Sequence, residues 1–154
     1  MTRILLIQGA NMAWLGKRQP ELYGTVAAAE LDALVLERAK ALGCTLDILY
    51  THIEGEAIAA LYSAHDRGLD GLLMNPAGFS YSGYALRDAI LGCAGLAYVE
   101  VHMTNIESRG MRSALAGAAK GVIAGFGAQS YLLGLEALVA LVGTEPAKKK
   151  AHKR

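Results

Sequence analysis

Arg3-Ile4-Leu5-Leu6-Ile7-Gln8-Gly9-Ala10-Asn11-Met12-Ala13-Trp14-Leu15-Gly16-Lys17-Arg18-Gln19-Pro20-Glu21-Leu22-Tyr23-Gly24 is the stretch from which the rest of the chain can be read. The apolar run at 3–8 reads as a buried strand. It feeds a glycine-bounded loop, 9–24, that carries an amide (Asn11), a guanidinium (Arg18) and a phenol (Tyr23), the composition of a lid that does chemistry. A tyrosine in such a loop is ordinarily a packing residue. Here Asn75 and the run Glu100-Val101-His102 fall in comparable places, after or within later strands, and that convergence favours a functional reading.

Working outward, strand-like apolar runs at 3–8, 45–51, 70–75, 97–102 and 121–125 alternate with helix-period segments. This is the pattern of βα units that build a parallel sheet covered on both faces. Leu31, Leu34, Val35 and Leu42 share one helical face, as do Ile58, Leu61, Tyr62 and His65. Leu86, Ala89, Ile90 and Cys93 share a third, and Leu132, Leu135, Leu138, Val139 and Val142 a fourth. Gly43, Gly68 and Gly92 end or follow three of these helices. The segment 105–120 is rich in Ala and Gly and shows no clean period. Five strands and about five helices predict an α/β, flavodoxin-like three-layer sandwich with strand order 2-1-3-4-5. In such sheets ligands settle beyond the carboxyl ends of the strands where the order reverses. Asn11, Asn75 and His102 all fall at strand ends and face that crevice.

The composition fits one globular domain: 154 residues, 53% hydrophobic and 19% charged, enough to bury a core without metal or disulfides. No apolar run reaches the roughly 18 residues of a membrane span, and residues 1–7 are too short for a secretory core, so a cytoplasmic protein is expected. Cys44 and Cys93 have no second Cys or His at metal-ligand spacing and read as small buried hydrophobes. The net charge of +1 hides a basic tail. Without residues 145–154 the body holds ten Lys and Arg against thirteen Asp and Glu. That excludes a basic nucleic-acid surface on the body and leaves the tail as a solubilising, disordered end.

No phosphate-binding glycine motif follows the first strand, and Gly125-Phe126-Gly127 supplies only two glycines, so no cofactor is expected. Neither cysteine lies beside a histidine, and the serines near 80–82 have no evident base. What remains is a tyrosine near an arginine. A free phenol has a pKa near 10, and to work as a base at neutral pH its phenolate needs about 4 kcal/mol of stabilisation. A guanidinium about 4 Å away supplies about that much at an effective dielectric of about 20. Tyr23 beside Arg18 could then take a proton adjacent to a carbonyl, with Asn11 bonding the enolate oxygen directly or through a water. Glu100 and His102, two apart on a strand, project to the same face and form a candidate general acid. A core histidine satisfied by a neighbouring carboxylate accounts for those two residues equally well.

Gly9-Ala10-Asn11, Leu15-Gly16-Lys17-Arg18, Pro20-Glu21-Leu22-Tyr23-Gly24, Asn75-Pro76-Ala77-Gly78, Ala85-Leu86-Arg87-Asp88-Ala89, Glu100-Val101-His102 with Asn105-Ile106 and Arg109, and Gly121-Val122-Ile123 with Gly125-Phe126-Gly127 resemble the type II 3-dehydroquinate dehydratase family over nearly all of residues 3–142. The resemblance implies one catalytic domain over 1–143 that eliminates water from 3-dehydroquinate by anti elimination through an enolate, giving 3-dehydroshikimate. Tyr23 would be the base, Arg18 would activate it and close with the lid, and Asn11 would hold the enolate-side water. His102 would protonate the departing hydroxyl, oriented by Glu100. Asn75 and the backbone at Met103-Thr104 would hold the substrate carboxylate, and Asp88 would reach a neighbouring subunit's site. The family also implies a dodecamer built from trimers, with no metal or organic cofactor, in aromatic amino-acid biosynthesis or quinate catabolism.

The chain departs from the family where substrate hydroxyls are recognised. Tyr81 stands where the family has a histidine, Ala13 replaces a second loop asparagine, Glu107 replaces a usual histidine, and the 107–120 segment is shortened. Arg112 is the counterpart of the family's substrate-binding arginine, with Arg109 as its competitor. The reaction class is retained while the substrate is open to a close hydroxylated cyclohexanone carboxylate. The alternative is a divergent paralogue with little or no turnover that binds a small molecule or regulates.

Overall fold

A computed structural model describes residues 1–144. Five strands, β1 (Thr2–Ala10), β2 (Cys44–Tyr50), β3 (Gly71–Ala77), β4 (Ala97–His102) and β5 (Gly121–Ala124), pair in parallel in the order β2-β1-β3-β4-β5. Their connections carry α1 (Pro20–Tyr23), α2 (Ala28–Ala41), α3 (Glu54–Asp66), α4 (Tyr84–Gly92) and α5 (Ala128–Thr144). This is the flavodoxin-like α/β architecture that the alternation of runs predicts. The basic segment 145–154 lies outside the described residues.

Each strand sends alternate residues to opposite faces, which makes two cores. Ile4, Leu6, Leu73, Val99 and Val101 pack beneath α2 and α5 through Leu31, Val35, Tyr131, Leu135 and Leu138. Leu5, Ile7, Leu72, Met74 and Tyr98 pack on α3 and α4 through Ala57, Leu61, Leu86 and Ile90. The α5 helix lies close on β4 because Gly134 has no side chain; a Cβ there would come within 2.5 Å of Val101. Among the described residues no helix is long and apolar enough to cross a membrane.

Three local expectations change. Leu34 and Tyr62, which helical spacing puts on one face with Leu31 and Leu61 respectively, are 43% and 47% exposed. The loop 9–24 is not wholly irregular: Pro20 opens a single helical turn that ends at Tyr23, and Gly24 closes it with an N–H to the Pro20 carbonyl at 2.8 Å. The segment 105–120 forms two 3₁₀ turns, Ile106–Arg109 and Ala116–Ala118, which is what a Gly- and Ala-rich stretch without an amphipathic period can support.

Candidate active site

The carboxyl ends of β1, β3 and β4 open into one cleft, roofed by the 11–24 loop and by the turn after β4. Its wall includes Asn11, Arg18, Tyr23, Asn75, Tyr81, His102, Met103 and Thr104, which the sequence singled out, together with Arg109, Ala77, Gly78 and Met111. With its open mouth the cleft spans about 610 Å³ of space between atoms.

The floor is built where β1 and β3 end side by side. Gly9 lies so near the Pro76 carbonyl that a Cβ would come within 2.1 Å of its oxygen. Asn11 follows with a left-handed backbone at φ 79°, a conformation that Asn tolerates better than most residues. Its N–H donates to Nδ1 of His52 at 3.0 Å, which ties the start of the loop to the β2–α3 connection.

Asn75, buried at the end of β3, is held on both sides of its carboxamide. Its Oδ1 accepts the Ala77 N–H at 3.0 Å, and its Nδ2 donates to the Tyr131 phenol at 2.8 Å. The Tyr131 O–H donates in turn to Gln8 Oε1 at 2.7 Å. Burial pushes the Tyr131 phenol far up from its usual range, so it stays protonated and keeps that role.

Tyr23 is half-buried, its ring against the α2–α5 core, and two guanidinium groups flank it. The central carbon of Arg18 lies 5.6 Å from the ring centre and that of Arg109 lies 5.7 Å away. Two cations therefore stand beside the phenol, where the sequence suggests one. Arg109 is steadied by a bond from Nη1 to Thr104 Oγ1 at 3.0 Å.

Facing this group, His102 ends β4 and is bonded through Nε2 to Glu100 Oε1 at 2.6 Å. Both residues are buried, as their two-residue spacing on one sheet face predicts. The other carboxylate oxygen accepts from the Tyr98 phenol at 2.7 Å. Tyr98 is itself enclosed, and burial first, then the adjacent Glu100 charge, hold its phenol well above the ordinary range. Glu100 therefore has both oxygens engaged, and the Nδ1 side of the imidazole is the one left for a ligand.

Two expected residues lie elsewhere. Arg112 is exposed and stands over separate depressions, with Tyr84 and Arg87 on one side and Glu107 and Ala116 on the other. At the turn that ends at Gly110, φ 64°, Arg109 lines the cleft and Arg112 does not. Asp88 is exposed on α4 and is not part of the wall. Tyr81 is in the wall but 67% exposed, at the mouth. Sequence reasoning missed Gln8, His52, Tyr98 and Tyr131; for Tyr98 a signal was available, since it continues the two-residue period of Glu100 and His102. Among the described residues no cluster of three His, Cys, Asp or Glu could hold a metal ion. The chemistry the wall can perform is proton removal on the Tyr23 side and proton donation on the His102 side.

Comparison with known proteins agrees with this geometry. The profile of the family described as dehydroquinase class II matches residues 2–139. A 3-dehydroquinate dehydratase of Xanthomonas campestris pv. campestris is 43% identical over 143 residues, covering 91% of this chain and 96% of that one. The type II dehydroquinase of Propionibacterium acnes superposes with a TM-score of 0.84 at 30% identity, over 91% of this chain and 97% of that one. The type II dehydroquinase of Butyrivibrio crossotus gives 0.84 at 28% identity, over 89% and 97%.

Proposed function

We propose that this chain, which belongs to the dehydroquinase class II family, eliminates water from 3-dehydroquinate to give 3-dehydroshikimate. The observation that carries this reading is the pairing across one cleft of a tyrosine flanked by two guanidiniums and a histidine bonded to a buried carboxylate. The Tyr23 phenolate removes the proton adjacent to the ketone, and the electron pair moves onto the carbonyl oxygen as an enolate. Asn11, directly or through a water, donates to that oxygen while its charge develops. The enolate then re-forms the ketone, the carbon–oxygen bond to the β-hydroxyl breaks, and His102 gives that oxygen its proton, so that one water leaves and a conjugated enone remains.

Arg18 and Arg109, over the Tyr23 ring, place positive charge beside the base. Glu100 orients the His102 ring through its bond to Nε2. Asn75, with the backbone at Met103-Thr104, takes the substrate carboxylate. Asp88, exposed and outside its own cleft wall, serves the cleft of a neighbouring copy within trimers that assemble to a dodecamer. Cytoplasmic turnover in biosynthesis or in quinate breakdown would use the same chemistry.

The test is the growth of enone absorbance on adding 3-dehydroquinate to purified protein, repeated with Tyr23→Phe. The variant should lose about a thousandfold in kcat, within the usual range for removing a general base. Tyr81 at the mouth and Arg112 outside the wall favour a second reading, a small-molecule-binding or regulatory protein with little turnover. Ligand binding without enone formation would support it.

A further inference from the structure

We propose that Tyr131, backed by Gln8, is a positioning residue that fixes the polarity of the Asn75 carboxamide, so that Asn75 offers an N–H and not an oxygen to an anionic group in the cleft. A primary amide can be turned over at little intrinsic cost, exchanging donor for acceptor, and only its surroundings decide which end faces a ligand. Here both sides are decided. The Ala77 N–H can only donate, so it requires Oδ1 on its side. On the other side Gln8 Oε1 takes the single hydrogen of the Tyr131 phenol, which leaves that phenol oxygen only its lone pairs and requires Nδ2 opposite it.

The second Nδ2 hydrogen is directed at Met12 Sδ, 3.5 Å away in the wall of the same cleft. A thioether is a weak acceptor, and a carboxylate entering the cleft would displace it readily. Gln8 and Tyr131 are both fully buried, so bulk water does not reach the bond between them. Tyr131 does not itself line the cleft. Its effect passes through Asn75, and the assignment of the anionic group to the carboxylate of 3-dehydroquinate rests on the proposed function.

Calorimetric titration separates positioning from general loosening, using quinate, which keeps the ring carboxylate but lacks the ketone, and quinate methyl ester, in which that charge is masked. In Tyr131→Phe the affinity for quinate should fall about tenfold and the affinity for the ester by no more than about twofold. KM for 3-dehydroquinate should rise by about the same tenfold with kcat changed less than about threefold, the signature of lost uniform binding. Equal weakening of both probes, or an unchanged quinate affinity, overturns the proposal. If Tyr131→Phe does not fold, Gln8→Met carries the same comparison. There the phenol keeps its hydrogen and can turn it toward Asn75, so selectivity for quinate over the ester should drop; unaltered selectivity overturns the proposal. Wild-type protein with no preference for quinate over the ester also overturns it. Wild-type protein that prefers quinate yet forms no enone refutes the dehydratase reading alone, and the variant titrations still decide the role of Tyr131.

Discussion

Arg109 stands 5.7 Å from the centre of the Tyr23 ring, on the opposite side of the chain's topology from Arg18, the cation adjacent in sequence. The 11–24 loop and the turn after β4 thus meet through a shared phenol. Arg109→Ala should lower kcat/KM by about a hundredfold, comparable to the loss of one charge-stabilising donor in other enzymes. Arg112→Ala should stay within about threefold, because Arg112 lies outside the wall. Steady-state kinetics on both variants check this, and the reverse ranking would mean that the loop rearranges around substrate.

Tyr81 occupies the mouth of the cleft with a single rotating hydroxyl, where two ring nitrogens could fix two partners. Tyr81→His should raise kcat/KM toward 3-dehydroquinate by about tenfold, the worth of one added hydrogen bond to a substrate hydroxyl. Unchanged kinetics would remove position 81 from hydroxyl recognition.

Ala77 holds φ 48° and ψ −119°, outside the comfortable range of a residue with a side chain, because the Asn75 carboxamide captures its N–H. Glycine accepts this backbone without strain. Ala77→Gly should raise stability by about 1 kcal/mol, the relieved strain exceeding the added freedom of the unfolded chain. Denaturant unfolding followed by circular dichroism measures it, and a loss of stability would show that the backbone is relaxed as it stands.

Three tyrosines keep their protons in the fold to unusually high pH. Burial is the leading cause for Tyr50, Tyr98 and Tyr131, with the Asp32 carboxylate adding to Tyr50 and Glu100 to Tyr98. The unfolded chain releases these protons near pH 10 and the native chain does not, so the unfolded state binds fewer protons and stability falls as pH rises. The stability is intact below about pH 10 and drops by up to about 4 kcal/mol per pH unit above it. Alkaline unfolding should therefore be abrupt, with tyrosinate absorbance from these three groups appearing together with the loss of helical signal. Gradual ionisation of all 7 tyrosines with the fold intact would contradict the burial assigned to them.

The order of the sheet was legible because five mostly apolar, strand-length runs alternate with helix-period segments, and parallel pairing follows from the helices between. The Glu100–His102 bond was legible for the same reason, since the strand period alone puts both on one face. The exposure of Leu34 and Tyr62 was not legible, because helical spacing says which residues share a face and not how much of that face is covered. Arg109 and Arg112 could not be ranked from sequence: they are three residues apart, and a turn with a left-handed glycine decides between them. Tyr131 gave no local sign at all. Its two partners lie 56 and 123 residues away, and only the closure of α5 over the sheet makes them neighbours.

At Gly9 the main chains of β1 and β3 approach so closely that not even a methyl group fits between them. Nothing in that spot can be enlarged or thinned by substitution, so the base on which Asn11 and Asn75 stand has a fixed width. Whatever latitude the protein has in the size of molecule it admits must come from the opposite side, where a lone helical turn and two long basic side chains form the cover. Selection for a bulkier or smaller ligand would have to act on residues 12–24 and on the stretch around Arg109.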